Sequence, residues 1–323
     1  MRQALVILGC CALSLGAATA ANGAGGPVPP MQNGAGVSTP GGSVNYVALS
    51  AGGHRTVVER VRRGDGFVER TRVLRGDYGI PGAAYDGSST GLSFDESTLV
   101  LGDLASRPQR TRLLVLDARR LKPRARIALP GWFTVDAISP DGRWMYLIHY
   151  RSVNDANHYE VRAYDLQAQR LVTKPVIDPR EPDEKMQGLP ITRTTSPDGR
   201  WAYTLYQRPS EAPFIHALDT QNRTAACIDL DDLTGDEITE ARLVLAGETL
   251  RVDGPSGPRA LVDTRTFAVR SPAAAAAPRP VAPPPAAADD GGVPWQLALL
   301  ALVPLAGLAV VIARRRRRTA VTR

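Results

Sequence analysis

Histidine is the side chain in this sequence with the widest chemical use, since imidazole binds metals and exchanges protons near neutral pH. The chain has four, His54, His149, His158 and His216, and none has a second histidine or a cysteine at metal-ligand spacing. His149 and His158 are expected to face each other across a strand pair, but two ligands do not complete a metal site. The sequence therefore predicts no metal ion and no other cofactor.

Carboxylates are plentiful, but their spacing does not indicate paired catalytic acids. Asp95, Asp141 and Asp198 lie in turn motifs and are interpreted as turn-forming residues. The acidic stretch from Asp229 to Glu240 does not match a calcium-binding loop and is interpreted as a solvated connection. Neither a Gly-x-Ser-x-Gly nucleophile elbow nor a phosphate-binding glycine loop occurs. No catalytic residue is predicted.

The three cysteines do not form a disulfide framework. Cys10 and Cys11 lie in an apolar stretch that is expected to be removed, which leaves Cys227 alone in the mature chain. Cys227 is predicted to be a small buried apolar residue in a strand.

A repeated motif indicates how the middle of the chain is built. Residues 139–148 read SPDGRWMYLI and residues 196–205 read SPDGRWAYTL, identical at seven of ten positions. Each copy follows a β-branched run and precedes alternating aromatic residues. The proline fits the first corner of a turn, the aspartate caps the backbone and the glycine takes a positive φ, so each copy predicts a β-hairpin. Degenerate copies occur at 93–96 and 246–248.

A second mark follows each hairpin about 20 residues later, where an apolar residue precedes an aspartate. These aspartates are separated by 48, 54 and 44 residues, and each is followed by another β-rich run. They are Asp117, Asp165, Asp219 and Asp263. Each unit of about 45 to 55 residues therefore contains four strands, which is the size of a propeller blade.

The order SPDGRWAYTLYQ, FIHALDTQNR and TAACIDL resembles the bacterial YVTN and WD40-like (PD40) propeller repeats. The resemblance covers residues 91–270 in four units. A weaker fifth unit has strands predicted at 46–49, 56–61 and 67–74, with its innermost strand missing or hidden in the preceding Gly-rich region. The expected fold is an all-β propeller of about five four-stranded blades over residues 44–270.

Two groups of residues are assigned roles within this propeller. The aromatic side chains that follow the two best turns are predicted to pack between neighbouring blades, where a blade cannot bury its faces alone; they are Trp144, Tyr146, Trp201 and Tyr203. The charged, proline-rich loop Asp178 to Gln187 lengthens one connection and is the first candidate for partner contacts.

Both ends of the chain predict membrane topology. Residues 1–21 have a basic start, an apolar run and a small-x-small cleavage site, and are interpreted as a signal peptide. A lipoprotein signal that uses Cys10 or Cys11 is the alternative. Residues 22–43 are predicted to be a disordered Gly/Pro-rich segment.

The apolar run 293–313 has no charge over 21 residues, which at about 1.5 Å per residue spans roughly 30 Å of hydrocarbon. Five arginines follow immediately, which places the tail 314–323 in the cytoplasm and the preceding domain outside. Residues 271–292 are predicted to be a Pro/Ala-rich stalk. The arginines expected to contact anionic lipid headgroups are Arg314, Arg315, Arg316, Arg317 and Arg318.

The net charge of +7 does not indicate nucleic-acid binding. Seven arginines near the two ends supply the whole excess, so the segment between them is formally neutral. The leading functional hypothesis is a non-catalytic binding or scaffolding module on the outer face of the cytoplasmic membrane. A lactonase-like or other propeller hydrolase or lyase outside the cell is the alternative. A third hypothesis is a sensor or maturation factor whose arginine tail engages a cytoplasmic partner.

Overall fold

The computed structural model describes residues 26–152, 154–155 and 158–272. The predicted signal peptide, most of the stalk, the span 293–313 and the arginine tail lie outside these residues. Within them, no helix is long and apolar enough to cross a membrane.

The described chain forms five four-stranded antiparallel sheets, each a meander of consecutive strands. This is the architecture of a β-propeller, as the repeats predict. Sheet I contains β1 (Val37–Ser38), β2 (Val44–Ser50), β3 (Arg55–Arg62) and β4 (Val68–Arg75). Sheet II contains β5 (Tyr78–Gly79), β6 (Thr98–Asp103), β7 (Arg110–Asp117) and β8 (Lys122–Pro130).

The remaining three sheets repeat the pattern, with one short helix. Sheet III contains β9 (Trp132–Ile138), β10 (Trp144–Tyr150), β11 (Tyr159–Asp165) and β12 (Arg170–Leu171). Sheet IV contains β13 (Leu189–Thr195), β14 (Trp201–Gln207), β15 (Phe214–Asp219) and β16 (Thr224–Asp229). After α1 (Gly235–Ile238), sheet V contains β17 (Arg242–Ala246), β18 (Thr249–Gly254), β19 (Gly257–Asp263) and β20 (Val269–Arg270).

The repeated motif forms the turn between the first two strands of sheets III and IV. The Trp144 amide donates a hydrogen bond to Ser139 Oγ over 2.9 Å, and Ser139 Oγ donates to Asp141 over 2.6 Å. Gly142 has φ +69°, which a residue with a β-carbon rarely adopts. The turn at 196–201 has the same two hydrogen bonds. The hydrogen bond from Ser196 is the largest influence on Asp198 and lowers its pKa. The end of the molecule that carries these turns is named the turn end, and the opposite end the loop end.

The aspartate of the second mark closes the turn between the third and fourth strands. Asp219 accepts hydrogen bonds from the amides of Gln221 and Asn222, each over 3.0 Å. Arg200, from the preceding motif, donates to the same carboxylate over 2.5 Å. Burial alone would raise the pKa of Asp219, but these hydrogen bonds outweigh it and lower that pKa. The two sequence marks are therefore parts of one contact.

Buried apolar clusters join each sheet to the next along the chain, from I to V. Tyr146 is fully buried between sheets III and IV, and its hydroxyl donates to Thr220 O over 2.6 Å. Tyr203 is buried between sheets IV and V, where Trp201 packs against Phe267. Trp144 packs under Arg223, 4.5 Å from its ring. These aromatic residues pack between blades, as predicted.

The structure corrects the prediction of disorder over 22–43 for the residues it describes. Val37–Ser38 is the first strand of sheet I, and Val37 and Thr39 are buried. The Val44 amide donates to Thr39 Oγ1 over 3.1 Å, the same bond that Ser139 accepts in the repeated motif. The sequence Thr39-Pro40-Gly41-Gly42 is thus a degenerate copy of the motif, and the folded domain begins before Val44.

Two of the β-rich runs that follow the four aspartates, residues 171–177 after Asp165 and 267–269 after Asp263, form shorter strands than the sequence predicts. The run Leu171 to Ile177 forms a strand only at Arg170–Leu171, after which Val176 makes one isolated bridge to Val161. The run Phe267 to Val269 forms a strand only at Val269–Arg270, because Phe267 has φ +60° and belongs to the Asp263 turn.

Candidate binding groove

A short hairpin crosses the centre of the sheet array. It comprises residues 81–90, between β5 and β6, and is named the central hairpin; Gly82 and Ser89 pair across it. At its tip, the amides of Tyr85 and Asp86 donate to the carbonyls of Pro190 (2.9 Å) and Ile191 (3.1 Å). The hairpin thereby connects sheet II to sheet IV across the first strand of sheet III.

The polar groups beneath the hairpin bind one another. Arg193 on β13 donates to Asp136 on β9 over 2.6 Å, and the two side chains are only 5% and 4% exposed. Thr192 donates to Asp86 over 2.7 Å, and Thr90 donates to the Asp136 carbonyl over 3.0 Å. This buried ion pair connects sheets III and IV, and the Asp136 carboxylate is already bonded to Arg193.

At the loop end, the central hairpin borders an apolar cavity of about 360 Å³ between sheets II and III. This cavity is named the groove. Its lining residues on the two sheets include Leu104, Leu113, Trp132, Phe133 and Val135. Trp132 is held by Tyr150, whose ring lies 5.2 Å away. Thr111, a polar residue of the lining, donates to Gly131 O (2.9 Å) and accepts from the Phe133 amide (2.8 Å).

The other wall of the groove is the N-terminal strap, defined as residues 26–31 with the sequence GPVPPM. Met31 pairs with Ile80, each amide donating to the carbonyl of the other residue over 2.8 and 2.9 Å. The Tyr85 hydroxyl donates to the Gly26 carbonyl. The following residue, Gln32, donates to the Tyr78 carbonyl over 2.9 Å. The strap therefore adds an extended segment beside β5.

Three glycines lie directly under the strap. A β-carbon on Gly102 would lie 2.4 Å from Pro30 Cγ, and one on Gly82 would lie 2.3 Å from Val28 Cγ1. A β-carbon on Gly79 would lie 2.8 Å from the Met31 amide nitrogen. Any larger residue at these positions would push the strap away.

A second cavity, of about 380 Å³, opens at the turn end on the other side of the central hairpin. It is lined by the Thr39 and Ser196 turns, by Ser89 and Thr90 of the hairpin and by Arg193. Arg193, the charged residue of this lining, is already bonded to Asp136.

The predicted approach of His149 to His158 is wrong. His149 pairs in register with Glu160, with its Nδ1 3.5 Å from the carboxylate, and its ring stacks on Phe133. His158 lies beside Asp155, at 2.6 Å. Burial is the largest influence on His149 and lowers its pKa. The strand register explains the error, because residue 149 is opposite 160 and not 158.

The other two histidines belong to different sheets, I and IV. His216 is buried on β15, whereas His54 is exposed and lies 2.7 Å from Asp77. In the described part of the chain, no three His, Cys, Asp or Glu residues are placed to hold a metal ion. The hydrolase alternative requires acids and histidines that converge at one end of the centre; the four histidines belong to sheets I, III and IV.

The loop Asp178 to Gln187 packs on the edge of sheet IV. Asp178 is buried and accepts hydrogen bonds from the Cys227 amide (2.8 Å) and from Arg180. Arg180 also donates to the Cys227 carbonyl over 2.9 Å. Glu184 binds Arg208 over 3.0 Å. The loop is thus anchored at its start and leaves its charged middle exposed at the loop end; its predicted partner contacts stay a prediction.

Cys227 and the acidic stretch have structural roles within the folded domain. Cys227 is buried in β16, as predicted, and burial raises the pKa of its thiol. In the acidic stretch, Glu237 binds both the amide and the hydroxyl of Thr234 and so caps α1. Asp95, Asp141 and Asp198 are turn residues, as predicted.

Sequence reasoning missed the strap and the central hairpin. Neither belongs to a repeat, and the contacts of Met31 with Ile80 and of Asp86 with Thr192 join residues distant in sequence. The available signal was the cluster Pro27, Pro29 and Pro30, which resembles an extended ligand more than a linker.

No protein-family model matches the sequence. No curated protein matches it either. Among solved structures, the chain is similar to TolB from Acinetobacter baumannii, with 12% identity over 72% of this chain and 52% of that one and a TM-score of 0.40. It is also similar to the Dos1 propeller, with 11% identity over 72% of this chain and 56% of that one and a TM-score of 0.41. A third similar structure is BamB from Moraxella catarrhalis, with 15% identity over 76% of this chain and 66% of that one and a TM-score of 0.39. The chain spans between half and two thirds of the length of these structures.

Proposed function

We propose that this chain is a non-catalytic binding or scaffolding module on the outer face of the cytoplasmic membrane, and that the groove is its ligand site. The observation that carries the proposal is the chemistry of the groove lining. It combines aromatic and aliphatic side chains with a few polar residues, of which Thr111 is already bonded within the protein; the charged residues Asp103 and Arg112 also line it. Such a surface offers shape and apolar contact, which is the chemistry of binding sites.

The surroundings of the groove favour a preformed site. Trp132 lies in a row of aromatic rings that continues through Tyr150, Tyr159 and Tyr206 into sheet IV, with centroids 5.2 to 5.8 Å apart. Rigid aromatic residues lose little conformational entropy on binding, so they contribute effectively to affinity.

The membrane part of the proposal rests on the sequence. The apolar run 293–313 would anchor the chain, with the arginines from Arg314 to Arg318 on the cytoplasmic side near anionic lipid. The stalk 271–292 would then hold the domain away from the bilayer. The groove would then bind its ligand on the outer side of the membrane.

Site-specific photocrosslinking on the full chain in its own cells tests the groove. A photoreactive residue at Leu104, which is 41% exposed on the groove rim, should give a discrete adduct. The control is Phe67, which is 58% exposed and does not line the groove. The absence of an adduct at Leu104, or identical adducts at both positions, would contradict the proposed site.

Cysteine labelling tests the topology. Phe67→Cys should react with a membrane-impermeant maleimide in intact cells, whereas Ala320→Cys should react only after permeabilisation. Cys227 gives little background because it is buried and burial raises the pKa of its thiol. Labelling of residue 320 in intact cells would overturn the orientation.

A further inference from the structure

We propose that the groove recognises an extended, proline-containing segment of a partner protein, and that the N-terminal strap is an intramolecular stand-in that this segment displaces. The inference rests on the proposed function and specifies its ligand. Its starting observation is that the chain already seats such a segment, Pro27 to Met31, against the groove.

The three glycines under the strap are needed for close contact with the strap and not for an unusual backbone conformation. Gly79, Gly82 and Gly102 do not adopt positive φ, so each backbone position could accept a residue with a β-carbon. What excludes such a residue is the strap, since β-carbons there would lie 2.3 to 2.8 Å from Val28, Pro30 or Met31. This surface is shaped for the close approach of another backbone.

The bonds that hold the strap do not depend on its side chains. The Met31 ladder with Ile80 joins backbone groups only, and any extended segment can form it, as in β-strand addition. Selectivity comes from the prolines. They favour the extended polyproline conformation before binding and pack on aromatic-lined grooves at low entropic cost.

The strap is suited to be displaced. Pro27, Pro29 and Pro30 have no amide hydrogen to donate, and residues 26–31 are half-buried or exposed. Between the strap and Trp132, the groove still has about 360 Å³ of open volume. A longer partner segment could therefore contact the aromatic wall that the strap leaves uncovered.

Tethering sets the competition between strap and partner. A segment joined to the domain by a short linker has an effective concentration on the order of millimolar. A partner segment must therefore bind more tightly than the strap, or the strap must be weakened, before the groove opens. Loss of the strap contact should raise the affinity for a proline-containing peptide by about tenfold or more.

The probe is a fluorescent synthetic peptide with the sequence GPVPPMQN, which reproduces residues 26–33. It is titrated by fluorescence anisotropy against the full chain in lipid nanodiscs. The variant Met31→Pro removes the amide that donates to Ile80 and leaves the groove residues of sheets II and III unaltered. This variant should bind the peptide about tenfold or more tightly than the wild type does. A control peptide with serine in place of each proline should bind neither the variant nor the wild-type protein.

A matched pair of glycine variants then locates the binding. In the Met31→Pro background, Gly102→Ala should weaken peptide binding by about tenfold or more, because its β-carbon occupies the path of Pro30. Gly64→Ala is the control, since no atom lies within 4 Å of a β-carbon there and its φ is not positive. Circular dichroism and the urea midpoint verify that both variants fold.

Three results would overturn the inference. One is no peptide binding by Met31→Pro, and another is equal binding by the Gly102 and Gly64 variants. The third is self-association of two differently tagged full chains that is lost in Met31→Pro, because it would identify the strap of a second copy as the occupant. Crosslinking at Leu104 without peptide binding would leave the proposed function standing and refute only the proline segment.

Discussion

Arg193 donates a hydrogen bond to Asp136 over 2.6 Å, and this buried ion pair connects the first strands of sheets III and IV. The residues are 57 positions apart in sequence, and both lie beneath the central hairpin. The pair therefore couples three separate parts of the fold.

Breaking this pair should strongly destabilise the domain. Arg193→Met leaves the Asp136 carboxylate buried without its partner and should cost about 3–5 kcal/mol of unfolding free energy. The double variant Asp136→Leu/Arg193→Met should recover much of that loss, because neither charge remains buried. Urea denaturation of the full chain, followed by tryptophan fluorescence, measures both.

The control for that series is Arg62→Met, which removes an exposed ion pair with Asp65. It should leave the urea midpoint unchanged, because exposed pairs are screened by solvent. An equal loss in the Arg62 and Arg193 variants would show that the central pair has no special role.

Thr39→Val tests whether the degenerate first turn belongs to sheet I. The substitution removes the oxygen that accepts from the Val44 amide at a buried position and should cost about 1–3 kcal/mol. Thr71→Val, on the exposed β4, should change stability by less than about 0.5 kcal/mol. If both variants unfold at the wild-type urea concentration, residues 37–43 do not contribute to the folded sheet.

The turn glycines should differ according to their neighbours. Gly142 and Gly247 both have positive φ, but only at Gly142 would a β-carbon meet another residue, 2.5 Å from Thr98 Oγ1. Gly142→Ala should therefore destabilise the domain more than Gly247→Ala, which should cost about 1 kcal/mol. Thermal unfolding of the two variants provides the comparison, and equal costs would mean that Thr98 moves aside freely.

His216 should make the domain sensitive to acid. Burial is the largest influence on this residue and lowers its pKa, while Asp136 and Arg193 act on it in opposite directions. Below about pH 6.5 the unfolded chain binds a proton that the folded chain does not. Stability from this group is therefore complete above that pH and falls as the pH decreases, by up to about 1.4 kcal/mol per pH unit.

The measurement is the urea midpoint at pH 7.5, 6.5 and 5.5. His216→Gln should flatten the decrease between pH 6.5 and 5.5, whereas His54→Gln, at an exposed position, should leave it unaltered. A wild-type decrease that persists in His216→Gln would assign the effect to other groups, such as His149, whose pKa burial also lowers.

The parts of the fold that sequence reasoning predicted are those with local causes. Ser139, Asp141 and Gly142 form their turn through contacts within six residues, so the motif alone predicted a hairpin. The turn at Thr39 has the same amide-to-hydroxyl bond but carries Gly41 in place of the aspartate, so the sequence motif did not predict it.

The candidate site depends on distant contacts and was not predictable in the same way. Nothing in the proline cluster at 27–30 indicates that it meets Gly79, Gly82 and Gly102. His149 shows the opposite error: its proximity to the loop predicts His158 as its partner, but the antiparallel register places Glu160 opposite it.

Each sheet consists of consecutive strands, and this affects the order in which the domain can fold. All four strands of sheet I lie within residues 37–75, and no later strand is inserted among them, so its hydrogen bonding can be completed before β13 has been synthesised. Pairing of this kind has low contact order, which favours rapid, vectorial folding from the amino end. The central hairpin reaches its partners only once sheet IV exists. Its docking therefore marks a late stage of maturation.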